Sequence, residues 1–205
     1  MAASGVFVSG VVFVPSLRPI GESLGTLMPR VPWHPLVRED LAEVRRLVEG
    51  LEAAFAELGS GASLYVLASS SVLSSDHFLR ADLSIGLRPT WLARLRRTAD
   101  VDRRDGFPDA LLDADIICAT WPPAIHLDYR EQLVVVVPTI HLFEGIGIGR
   151  AFEKLPPRFE LEGGYSVSLF RRVRPVSAEE TQALSAQLRI GHPDNPLVTE
   201  PRVPR

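Results

Sequence analysis

The chain has 205 residues, 46% of them hydrophobic and 23% charged, with a formal net charge of −3. That length and balance suit one globular domain with a sizeable core and exclude a disordered chain. No broad basic field recommends nucleic acid as a partner, and a single cysteine, Cys118, excludes an internal disulfide and any multi-cysteine zinc site.

Residues 5–14 are rich in valine and phenylalanine and predict a buried strand, interrupted by Gly10. The apolar run meets Pro15 after about ten residues, roughly half of what a membrane span needs. If the chain is a piece of a longer protein, Val6 to Val14 would instead lead away from a membrane segment. Prolines 15, 19, 29, 32 and 35 then exclude a helix from the next connection, where Trp33 is expected to plug the core edge.

Val37, Leu41, Val44, Val48, Leu51, Phe55 and Leu58 recur alternately at four and three residues, one apolar face of a helix that Gly59-Ser60-Gly61 stops. The next stretch, Ser63 to Leu79, reads as a buried strand over Leu64 to Ala68, a serine-rich turn, and a helix opened by Asp76. A brief extended segment is expected over 82–89 and a short helix over 90–97 carrying Trp91. The densely charged stretch from Asp100 to Asp115 predicts a solvated loop with local ion pairs, anchored by Phe107 and holding one helical turn at 109–112. DIICAT, residues 115–120, is a second apolar run, and LVVVV, residues 133–137, is the third and most β-prone. RFELE, Gly163-Gly164 and YSVSLFRRV predict a β-hairpin. Ser177 with Glu180 forms a capping box, opening a last helix that runs to Gly191.

Three apolar runs separated by helical or loop segments predict an α/β fold: a largely parallel, Rossmann-like sheet with flanking helices and a C-terminal hairpin. Residues 1–191 are expected to form a single domain, and the proline-rich tail 192–205 to be frayed or draped on the surface.

Ligands of open α/β sheets sit at the carboxyl ends of the strands. The residues there are Ser69, Ser70, Ser71 and Asp76 after the first run, Thr120 and Trp121 after the second, and Thr139 and His141 after the third. They are the expected ligand-binding set, for a sugar or a phosphate. No catalytic residue is assigned, because the serine turn lacks both the Gly-x-Ser-x-Gly elbow and the glycines and lysine of a P-loop. A His–Ser or His–Asp pairing at this edge would resemble catalytic equipment. The five histidines show no metal-ligand spacing, and Gly145, Gly147 and Gly149 form G-x-G-x-G rather than a dinucleotide fingerprint, so neither metal nor cofactor is expected. A loop needing positive φ and close backbone approach is sufficient for those glycines.

The segments LYVLASSSVLSSD, VDRRDGFPDALLDADIICATWPPAIHL and LFEGIGIGRAFEKLPPRFELEGGYSVSLFRR together carry a resemblance. They are similar to the soluble C-terminal domain found after the membrane-spanning part of some bacterial glycosyltransferase-like proteins, relatives of the protein-mannosyltransferase and aminoarabinose-transferase group. The resemblance covers about residues 36–190. It implies parent enzymes that use polyprenyl-phosphate-linked sugars, with their catalytic carboxylates on extracytoplasmic loops of the membrane part. This chain would then be an accessory domain on the outer face of a bacterial membrane, without catalysis of its own, touching acceptor or sugar or bracing the transmembrane part. No family catalytic residue carries over to this sequence. The alternative is a small soluble enzyme or ligand-binding domain with its site at the strand ends.

Overall fold

The computed structural model describes residues 39–59, 61–79 and 91–201. The expected strand over 5–14, the proline-rich connection with Trp33, the helix start at Val37 and the extended segment at 82–89 lie outside the described residues.

Among those residues the fold is α/β around a mixed sheet of four strands: β1 (Leu64–Leu67), β2 (Ile116–Trp121), β3 (Phe152–Leu161) and β4 (Tyr165–Arg172), in the order β1-β2-β4-β3. Only β1 and β2 run parallel, with Leu64 opposite Ile116 and Leu67 opposite Ala119. β4 is antiparallel to both β2 and β3. The expectation of a largely parallel sheet is therefore corrected. The hairpin expected at the C-terminal end is present, but its second strand inserts beside β2, and the third apolar run contributes no strand at all.

That third run is helical. Leu133–Glu144 forms a helix, α2, in place of the expected LVVVV strand. Each β-branched residue costs a helix only a few tenths of a kcal/mol. Burying Val134, Val135 and Leu142 returns about 1.5–3 kcal/mol each, so packing overrides propensity. The helix start is secured from elsewhere in the chain. The Asp102 carboxylate accepts the Leu133 and Val134 N–H groups, both at 2.9 Å. Pro138 sits inside the helix; within a central strand it would have removed a ladder hydrogen bond.

Alternating side chains divide the core into two layers, as a two-residue period requires. Leu64, Val66, Cys118, Val167 and Leu169 face the first long helix, α1 (Leu41–Leu58), together with Trp91 and Phe78. Tyr65, Leu67, Ile117, Ala119 and Phe170 face α2 and the last long helix, α3 (Ala178–Gly191). Leu47 and Ala54 join the expected stripe of α1 in the core, whereas Leu41 is exposed. Cys118 is buried, and burial pushes its thiol pKa up, as an inert core thiol requires.

Edge strand β3 changes register between Lys154 and Arg158, where Pro156 and Pro157 cannot donate to the ladder. At the opposite end of the parallel pair, Asp115 fastens three strands. Its Oδ2 accepts the Ser63 N–H and hydroxyl at 2.9 and 3.0 Å, and its Oδ1 pairs with Arg172 at 2.5 Å. Burial alone would raise the Asp115 pKa; the Arg172 and Ser63 hydrogen bonds outweigh it and hold the pKa below the usual value.

The helix α3 begins at the expected capping box, with Ser177 and Glu180 bonding reciprocally. Beyond it the structure departs from the expected frayed or draped tail. A short helical turn, Pro196–Thr199, buries Val198 completely, and Phe107 N–H donates to the Leu197 carbonyl at 2.7 Å. His192 is also buried, its Nε2 bonded to Asp102 Oδ2 at 2.6 Å. No helix of the described residues is long and apolar enough to cross a membrane.

Candidate functional site

The site is assembled from the segments beyond the carboxyl ends of the two parallel strands. After β1 the chain passes through Ala68 to Ser69, whose N–H donates to the Ala124 carbonyl at 2.7 Å. The Ser70 hydroxyl accepts from the N–H groups of Val72 and Leu73, so this part of the serine turn caps itself. Residues 75–79 continue as a helical segment. A second segment runs along the other side of β1: Arg96 N–H donates to the Leu64 carbonyl at 2.7 Å and the Thr98 hydroxyl to the Val66 carbonyl at 2.9 Å. Between these walls lies an open cavity of about 670 Å³, within the size range of small-ligand sites. Ser69, Ser70, Ser71, Ser74, Ser75, Thr98, Asp76, Asp100, Arg96, Arg97, Arg104 and His126 give it a polar surface, and Leu79, Leu92 and Leu95 an apolar patch.

Ser69 is the hub at its base. The residue is 3% exposed; its hydroxyl donates to Asp100 Oδ2 at 2.7 Å and lies 2.8 Å from His126 Nδ1. The same imidazole nitrogen sits 2.9 Å from the Ser69 carbonyl oxygen. A carbonyl only accepts, so Nδ1 carries the proton, shared between the Ser69 carbonyl and hydroxyl oxygens. Gln132 Nε2, at 3.3 Å from Nδ1, is the longest of these contacts and already donates to the Asp100 carbonyl at 2.6 Å. Gln132 is wholly buried, and its Oε1 accepts the His126 and Leu127 N–H groups, both at 2.8 Å. One amide side chain thus brackets the loops that deliver Asp100 and His126.

The charges around Asp100 are paired. Arg104 bonds to both Asp100 and Asp105. Burial, reinforced by the neighbouring Asp105, raises the Asp100 pKa. Burial also acts upward on Asp105, but hydrogen bonds from Arg104, Asp100 and the Val101 and Asp100 N–H groups prevail and hold its pKa well down. The charged stretch expected to be a solvated loop is therefore only partly so, for Asp102 is 0% exposed and Asp100 is built into a cavity wall.

A serine touching both a histidine and an aspartate invites a nucleophile reading. The connectivity opposes it. A catalytic histidine bridges its carboxylate and hydroxyl and takes the hydroxyl proton on a free nitrogen. Here the hydroxyl is the bridge, and the nitrogen facing it already bears a proton.

Of the eight residues expected at the strand ends, Ser69, Ser70, Ser71 and Asp76 line the cavity, and the other four stand apart from its lining. Thr120 is buried, and its hydroxyl accepts the Ala124 N–H at 2.8 Å. It shapes the turn that carries His126 to Ser69. Trp121 is 40% exposed and packs on Phe143. Thr139 and His141 are moved off the sheet edge because their segment is helical: the Thr139 hydroxyl donates to the Val135 carbonyl, and His141 Nε2 bonds to Gln187 at 2.7 Å. His141 Nδ1 is buried without a partner, beneath Gly147, where a Cβ would lie 2.5 Å from it. The glycine loop behaves as its composition predicts. Gly145 and Gly147 have positive φ, and a Cβ on Gly149 would collide with the His141 carbonyl oxygen.

Sequence reasoning missed Arg96, Arg97, Asp100, Arg104 and Gln132 as site residues and gave His126 no position there. Among the described residues no group of three or more histidine, cysteine or acidic side chains is placed to hold a metal. Comparison with family models, with curated proteins and with solved structures finds no match.

Proposed function

We propose that this chain is a non-catalytic ligand-binding α/β domain, serving as the extracytoplasmic accessory module of a membrane glycosyltransferase-like protein, with its cavity contacting sugar or acceptor. The observation that carries the binding role is the hydroxyl-rich cavity around Ser69, with the loops of Asp100 and His126 tied by Gln132 and without the connectivity of a nucleophile. The membrane association rests on the resemblance of residues 36–190, and its partner would be the transmembrane part of the parent chain. One parallel strand pair with a cavity beyond its carboxyl ends is also what a reduced Rossmann-like unit would present.

Two measurements test this. Thermal unfolding with a panel of sugars, sugar phosphates and nucleotides reads binding directly. A ligand at 100 times its Kd adds about 2.7 kcal/mol, a rise in Tm of roughly 5–10 °C for a domain of this size. No response to any of them would sink the binding role. Translation of the genomic frame upstream of Ala2 reads the membrane role, which requires hydrophobic spans there. A frame without them leaves the alternative of a free-standing ligand-binding domain.

A further inference from the structure

Resting on the reading of the Ser69 cavity as a ligand site, the geometry points to its ligand class: we infer that the cavity takes a neutral polyhydroxylated molecule, and that His126 Nε2 reads one of its hydroxyl groups as a hydrogen-bond acceptor.

Two independent observations lead there. The first is the state of His126. Its Nδ1 faces the Ser69 carbonyl at 2.9 Å and the Ser69 hydroxyl at 2.8 Å, and that hydroxyl in turn donates to Asp100. The chain of donors runs one way, from imidazole to hydroxyl to carboxylate, and fixes the proton on Nδ1. In the neutral ring this tautomer leaves the lone pair on Nε2, which makes no hydrogen bond among the described residues, while the residue is exposed and lines the cavity. A lone pair so held welcomes an O–H donor and repels an anion.

The second is the charge balance of the walls. Arg96, Arg97 and Arg104 contribute three positive charges. Asp76 and Asp100 in the lining and Asp105, bonded to Arg104 and to Arg97, contribute three negative ones. A phosphate or carboxylate would meet two lining carboxylates, and of the three arginines only Arg96 is without an ion pair among the described residues. Hydroxyl groups fit better. Ser71 and Ser75 make no side-chain hydrogen bond among the described residues, and carboxylates and guanidiniums together serve alternating O–H donors and acceptors. The apolar patch of Leu79, Leu92 and Leu95 suits the C–H face of a sugar ring.

The test uses imidazole nitrogen shifts of the whole protein at neutral pH, with methyl glucoside, methyl mannoside and methyl galactoside as one arm and inorganic phosphate and glucose 1-phosphate as the other. The free protein should show His126 protonated on Nδ1; protonation on Nε2 overturns the inference without any ligand. Addition of a glycoside should shift Nε2 while leaving Nδ1 in place, and His126→Phe should weaken that glycoside about tenfold. Binding of both phosphate probes with no glycoside response would overturn the neutral-ligand inference and keep the cavity as a binding site. No perturbation of any cavity residue by either arm would overturn the binding reading itself, and this inference with it.

Discussion

Asp100 and Asp102 lie two residues apart, and each is paired with a histidine group, but the two pairings serve different ends. Asp102 is wholly buried, and its carboxylate is saturated by the Leu133 and Val134 N–H groups and by His192. Every polar atom there closes on another part of the protein, which makes it a lock between the start of α2 and the C-terminal segment. Asp100 reaches its histidine only through the Ser69 hydroxyl, and the imidazole keeps one nitrogen turned outward. The same two residue types thus make a fastening in one place and part of an open cavity wall in the other. Residue identity does not separate them; the fraction of hydrogen-bonding capacity already satisfied within the fold does.

The sharpest way to break this contrast is Asp102→Ala. It leaves a buried imidazole and two N–H groups without their carboxylate, and should lower stability by about 3–5 kcal/mol in urea unfolding. A loss below about 1 kcal/mol would mean that the lock bears little weight. His192→Ala removes one of the three partners and should cost about 2 kcal/mol, with faster amide exchange in the 192–199 segment. Asp100→Ala, on the cavity side, should cost about 1 kcal/mol or less, because Asp100 is partly exposed and its ion pair with Arg104 is solvent-screened. It should nonetheless abolish any ligand-induced rise in Tm, so stability and binding separate between the two aspartates. The smallest effect concerns His141. Burial holds its pKa below the ordinary value, against a smaller upward pull from Gln187. The unfolded chain therefore takes up this proton at higher pH than the folded one. Stability should fall as pH drops from about 7.5 to about 5.5, and His141→Leu should flatten that slope in unfolding measured across the window.

Local grammar in the sequence located most elements. The stripe of α1, the apolar run of β1, the DIICAT strand, the Gly163-Gly164 hairpin and the Ser177–Glu180 box all stand where their patterns put them. What failed was decided at long range. LVVVV has a strand's composition, and only the distant Asp102 carboxylate and burial on the sheet make it a helix. Pro138, directly after the run, was the available warning, since a proline cannot continue a central strand. The hairpin was legible, but its insertion beside β2 was not, because strand order depends on contacts that no local pattern encodes. The cavity was half legible for the same reason. Ser69 to Ser71 and Asp76 follow from the rule about strand ends, whereas Arg96, Asp100 and His126 arrive through hydrogen bonds to Leu64, Gln132 and Ser69.

The Asp115 fastening has a consequence at the far end of the molecule. It sets which residue of β1 stands level with which residue of β2, and from Ser63 to Ser69 is about 20 Å of extended chain. A slip of one position would carry Ser69 about 3.3 Å along the strand and turn its hydroxyl to the other face of the sheet, away from Asp100 and His126. The carboxylate therefore acts as the zero mark of a ruler whose other end is the cavity floor, and damage there should surface as lost Ser69–Asp100 and Ser69–His126 contacts in a chain that still folds.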